Sequence, residues 1–181
     1  MKNINKWLYL VFIVFLLAPS LGFNQNSEEI DSLNTKLMNA AREIMTSSKT
    51  CALITLDHEG RPRARTMDPF LPESDFTIWF GTNPKSRKVN QIKNNPKVTL
   101  YYLENNSSGY VVIHGTATIV NDQSEKDKWW KTEWDAFYPN NTDDYQLIKV
   151  SPQRMEVISY THSIIGDPAT WEVPVVIFEE N

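Results

Sequence analysis

Two alternating runs joined by one polar loop constrain this chain more than any other feature. Residues 98–103 and 110–120 alternate apolar and polar positions, and Glu104, Asn105, Asn106, Ser107, Ser108 and Gly109 connect them. A period of two predicts half-buried strands, and a connection rich in turn formers predicts antiparallel pairing. Shorter β-prone segments accompany this pair. Residues 51–57 end at the turn cluster His58, Glu59, Gly60, Arg61 and Pro62. Residues 63–70 alternate basic and small side chains until Pro69 and Pro72 end the run. Residues 76–80 stop at Gly81, Thr82, Asn83 and Pro84, and residues 173–178 form a last β-prone segment. Residues 145–150 and 154–160 read as two strands broken at Ser151 and Pro152.

Helical periodicity occurs in three places. Ser27, followed by Glu28 and Glu29, has the character of a helix start, and Ile30, Leu33, Leu37, Ala41, Ile44 and Met45 then form one apolar stripe that ends near Ser48. Residues 86–95 predict a short helix with Val89 and Ile92 inward, terminated by Pro96. Residues 124–137 predict another, carrying Trp129, Trp130 and Trp134, with Asp127, Glu133 and Asp135 on its wet face. This order predicts a mostly β fold with flanking helices, in which an antiparallel sheet curls into a barrel.

A chain of 181 residues, 41% apolar, buries one core and makes one domain. With 18 basic against 22 acidic residues, it is not a polybasic nucleic-acid binder. Lys2 and Lys6 precede the apolar run 7–17, Pro19 breaks it, and Ser20 and Gly22 stand at signal-peptidase spacing. The expectation is a signal peptide over 1–22, a mature domain over 23–181, and export to the periplasm or medium, with membrane contact only through that segment. An uncleaved anchor extended through Phe23 is the alternative. Cys51 is the single cysteine, so no intramolecular disulfide forms, and it reads as a small buried hydrophobe. His58, His114 and His162 lack ligand spacing, so no metal is expected.

Chemistry concentrates in residues 79–102. A strand delivers the chain to a helix start where Ser86, Arg87 and Lys88 occupy the first turn. The helix dipole already makes that end positive, so cations there are unfavourable unless an anion joins them. A hydroxyl, free backbone N–H groups and two cations suit a phosphate. Arg63 and Arg65, from the preceding hairpin, offer a further cation. A solvated, lysine-rich helix start is the competing reading.

The same stretch resembles the flavin-phosphate segment of the pyridoxamine 5′-phosphate oxidase superfamily. That pattern runs aromatic, Thr-Asn, two variable positions, Ser-Arg-Lys, then Gln-Ile and Asn-Asn-Pro before a strand. Here it is carried by Trp79, Thr82, Asn83, Ser86, Arg87, Lys88, Gln91, Ile92, Asn94, Asn95 and Pro96. The segment from Arg65 through Thr66, Met67 and Asp68 to Phe70 resembles the family's flavin-contacting strand, and the segment from Tyr110 to Gly115 its next strand. The likeness spans residues 41–160.

This resemblance implies an FMN-binding split β-barrel, antiparallel and Greek-key-like. Arg65, Arg87 and Lys88 would neutralise the FMN phosphate, and Thr82 and Ser86 would add hydroxyl bonds. Backbone groups of Thr66 and Met67 would face the ring, and Tyr110 would reach the flavin of the partner in a two-fold homodimer. The implied activity is that of a flavin-dependent oxidoreductase with no substrate or electron donor specified. The alternatives are a non-catalytic flavin or haem carrier and a deazaflavin-dependent reductase. The vitamin-forming members carry an Arg-Leu-His segment that grips substrate phosphate. Residues 159–166 here hold His162 and no Arg, and Ile158 stands where those members have Trp. Pyridoxamine phosphate oxidation is therefore not expected. The general-stress-protein branch, with its Arg-x-Arg-x-Met strand, fits Arg63, Arg65 and Met67 better.

Overall fold

The computed structural model of the chain describes residues 20–138 and 144–179. The chain divides into two units, 1–36 and 37–181. Of the expected signal segment, residues 1–19 lie outside the described residues. The first helix, α1, spans Ser20–Ser47. It starts earlier than the Ser27 expected, because nothing between Ser20 and Ser27 breaks a helix: the stretch holds no Pro and a single Gly. Leu37, Ala41, Ile44 and Met45 are buried as its stripe predicts, whereas Ile30 and Leu33 are exposed.

Strands β1 (Cys51–Leu56) and β2 (Pro62–Met67) form the expected hairpin. Strand β3 (Ile78–Thr82) leads into helix α2 (Arg87–Asn94), followed by β4 (Lys97–Leu103) and β5 (Gly109–Val120). After α3 (Gln123–Lys128) and a 3-10 turn at Thr132–Ala136 come β6 (Gln146–Ser159) and β7 (Val175–Ile177). The strands make one sheet in the order β2-β1-β4-β5-β6-β3, with β7 on β6, and every pairing is antiparallel. The outer strands approach each other past the end of β2. There Pro69 bridges Phe80, and the Phe70 N–H donates to Trp79 O at 2.9 Å. A bridge in place of a full ladder leaves the barrel split at that seam. The core inside it gathers Leu53, Phe80, Leu100, Ile113 and Met155 with Ile44 of α1 and Ile92 of α2.

Two expectations are corrected. Residues 146–159 form one strand, not two. Pro152 is accommodated because the register with β5 shifts between His114 and Gly115, and a bulge is where a residue without an N–H fits a sheet. Gly115 permits the close approach, since a Cβ there would collide with the Ser151 carbonyl. The second correction concerns residues 124–137, which do not form one helix. Neighbouring Trp129 and Trp130 would project about 100° apart on a helix. With the helix ended at Lys128, both reach one aromatic cluster. Trp129 stacks on Trp79 at 5.0 Å, and Trp130 and Trp134 meet Tyr145 at 5.3 and 5.6 Å. Asp127, Glu133 and Asp135 are exposed as expected. Strand β3 thus lies between two apolar layers, with Phe80 toward the barrel core and Trp79 toward the aromatic cluster.

Candidate functional site

The turn Asn83, Pro84, Lys85, Ser86 brings the chain from β3 into α2. Ser86 N–H donates to Asn83 O at 3.0 Å, and Pro84 supplies the fixed φ such a turn favours. Val89 and Ile92 pin the short helix to the barrel, at 1% and 2% exposure. Ser86 is the N-cap, in extended conformation, and its side chain makes no capping bond. The first turn contains no acid. The Arg87 and Lys88 backbone N–H groups fall where a helix offers no carbonyl partner.

Arg65 comes to this place from β2. Its ladder partner is Leu53, which is fully buried, so both side chains point to the barrel interior. Nη1 of Arg65 donates to Leu53 O at 3.1 Å and Thr55 Oγ1 at 2.8 Å, and Nη2 donates to Gln91 Oε1 at 2.9 Å. Lys88 Nζ donates to Thr82 Oγ1 at 2.9 Å, and Thr82 Oγ1 lies 3.3 Å from Ser86 Oγ. Burial and then the Arg87 charge lower the Arg65 pKa. Burial, Arg65 and Arg87 lower that of Lys88, in that order. Among the described residues, no carboxylate pairs with Arg65, Arg87 or Lys88. Three cations therefore share one helix start without a counter-charge.

The site residues read from the sequence do not all meet. Arg65, Thr82, Ser86, Arg87 and Lys88 come together. Arg63 does not join them: its Nε and Nη2 bond Asp57 Oδ2 at 2.9 and 2.8 Å, beside Arg61. Met67 has its side chain in the core. Thr66 is exposed on the opposite face of the edge strand β2. Asp57 N–H donates to Arg61 O, so antiparallel alternation makes Leu53/Arg65 and Cys51/Met67 hydrogen-bonded pairs. The backbone of Thr66, between them, faces the free edge, whereas that of Met67 faces β1. Tyr110 stands on the outer face of the sheet, stacked on Tyr101 at 5.7 Å, and burial, Glu156 and Tyr101 raise its pKa. Cys51 is buried, and burial lifts its thiol pKa to about 12, which suits a core residue and not a nucleophile. Thr55 and Gln91 join the site without being marked in the sequence as its ligands. A polar Thr at the core-facing period of β1 was the available signal.

Fold and site together define an antiparallel split barrel with a cationic helix start. Residues 36–166 match the family described as pyridoxamine 5′-phosphate oxidase like, and the chain belongs to that family. It is similar to general stress protein 26 of Bacillus subtilis (strain 168), at 26% identity over 121 residues, covering 65% of this chain and 84% of that protein. Among solved structures, general stress protein 26 from Bacillus anthracis str. Sterne is 27% identical, with a TM-score of 0.57 over 70% of this chain and 93% of that one. A protein related to general stress protein 26, from Clostridium acetobutylicum and of the pyridoxinephosphate oxidase family, shares the fold. Its TM-score is 0.65 at 20% identity, covering 80% of this chain and 95% of that one.

Proposed function

We propose that the chain binds FMN, with the phosphate at the start of α2, and works as a flavin-dependent oxidoreductase. The observation that carries this reading is the trio Arg65, Arg87 and Lys88, held without a carboxylate at an uncapped helix N-terminus. Such a cradle favours a dianion, and a phosphate monoester carries about −1.5 to −2 charges at neutral pH. Thr82 and Ser86 supply hydroxyls beside it, and the free edge at Thr66 offers backbone groups to a planar ring. Bound FMN would supply hydride or electron transfer, while the protein holds and orients it.

The test removes the cations. Each charge-assisted bond is worth roughly 1.5–3 kcal/mol, so Arg87→Ala with Lys88→Ala should weaken FMN binding at least about a hundredfold. Riboflavin, which lacks the phosphate, should bind both proteins alike, and the melting temperature without ligand should hardly move. A double variant that retains FMN, read by fluorescence titration, would overturn the proposal.

We further propose a homodimer built on the outer sheet face, where Tyr101, Tyr110, Val112 and Ile158 are half-buried. The Trp-rich segment offers less, since Trp134 is buried and Trp129 and Trp130 pack against the same aromatic cluster. Export through residues 1–22 belongs to the same proposal. A second reading, flavin holding without turnover, draws support from His162. Its Nδ1 lies 2.8 Å from Ser159 Oγ and its Nε2 lies 3.0 Å from Glu43 Oε2, so neither nitrogen is free for a substrate. A bound flavin that stays oxidised with NADH, NADPH and pyridoxamine 5′-phosphate would favour that reading.

A further inference from the structure

We propose that Gln91 is the positioning residue of the anion site, and that its amide fixes Arg65 without neutralising it. This inference rests on the phosphate reading of Arg65, Arg87 and Lys88.

The hydrogen-bond directions are forced. A guanidinium has five N–H donors and accepts nothing. Arg65 Nη1 donates to Leu53 O and to Thr55 Oγ1, and Nη2 donates to Gln91 Oε1. Thr55 accepts from Arg65, so its own single proton goes to Gln91 Oε1, at 2.7 Å. Arg65, Thr55 and Gln91 therefore close a ring of bonds on one amide oxygen. Every acceptor behind the guanidinium is uncharged. The Nε–H and one Nη2–H remain for a ligand. Thr55 is fully buried, so its hydroxyl depends on this ring for both of its bonds.

A carboxylate at position 91 would occupy the same volume and would bind Arg65 more strongly, as a charge-assisted pair. It would also relieve the mutual repulsion of the three cations. The amide forgoes that stabilisation and leaves the positive charge for an incoming anion. Gln91 thus sets the selectivity of the site for anionic ligands by holding Arg65 in place and leaving its charge unpaired.

The experiment uses the full chain, FMN and riboflavin as probes, and the melting temperature without ligand. A carboxylate paired with Arg65 cancels the charge that a phosphate would meet there, and the loss of that charge-assisted contact weakens binding on the order of a hundredfold. Gln91→Glu should therefore lose FMN by about that factor, bind riboflavin as wild type does, and melt at the same or a higher temperature. Gln91→Ala, which removes the positioner and adds no charge, should lose FMN less steeply and melt lower. Unchanged FMN affinity in Gln91→Glu, with the wild-type preference for FMN over riboflavin intact, would overturn the role of Gln91 alone. A wild type that binds riboflavin as tightly as FMN would overturn the phosphate reading, and this inference with it.

Discussion

Glu104 illustrates how one buried carboxylate is kept charged by its neighbours. It sits at the start of the β4–β5 loop with 7% of its surface exposed. Burial works against its charge, but bonds from Ser108, Thr161 and Ser159, with the charge of His162, outweigh it and lower its pKa. Ser108 Oγ and Ser159 Oγ donate to Oε2 at 2.8 and 3.1 Å. Because the folded pKa lies below the unfolded one, this group stabilises the fold above the ordinary glutamate pKa of about 4.3, and the contribution disappears as pH falls below it. Glu104→Gln should cost about 1–3 kcal/mol at neutral pH, since the Ser108, Ser159 and Thr161 hydroxyls all lose a charged acceptor. Denaturant melts over a pH series from 7 downward check this: the gap between wild type and variant should narrow as pH falls from the unfolded pKa through the folded one. Gln91 belongs to the same scale. Gln91 stands within the motif of residues 79–102, but only the fold brings Thr55 and Arg65 together on its oxygen.

At the scale of elements, β3 bears two duties. Its end delivers Thr82 to the site, and both its faces are covered by apolar layers. Gly81 lies under Trp134, where a Cβ would overlap the indole ring. Gly81→Ala should therefore destabilise the protein by about 1–3 kcal/mol through overpacking. A thermal melt measures it, and an unchanged midpoint would mean the Trp134 ring moves aside freely. FMN affinity should fall as well, because the displaced strand carries Thr82. The short helix α2 was legible in sequence since Val89 and Ile92 keep helical spacing and Pro96 closes it. Periodicity predicts one helix for the segment holding Trp129, Trp130 and Trp134, because it does not register that adjacent rings must share a pocket. Pro152 predicts a break for a related reason, yet a strand can carry Pro where its neighbour supplies Gly115 at a bulge.

At the scale of the molecule, the described helices include none long and apolar enough to cross a membrane. The proposals of export and dimerisation each have a direct measurement. Protein purified from its host should show a chain mass beginning at Phe23. Sedimentation with saturating FMN should give twice that mass. An intact Met1 would remove the signal-peptide reading, and a monomer that retains flavin would remove the dimer.

The sequence by itself determined the class of the fold and pointed to the place of the candidate site. Period-two runs, turn clusters and a cationic helix start are local signals, and local physics is enough to read them. The tertiary structure decided which cations belong to the site. Arg63 and Arg65 stand two positions apart on one strand, on the same face, with the same side chain. Asp57, across the hairpin turn, pairs with Arg63 and holds its own carboxyl well below the ordinary range, against burial, through bonds from the Arg61 and Glu59 backbone and the Arg61 and Arg63 side chains. Arg65 meets the uncharged oxygens of Leu53, Thr55 and Gln91 instead. Whether a charge is neutralised depends on which groups from distant segments arrive beside it. Spacing along the chain does not carry that information.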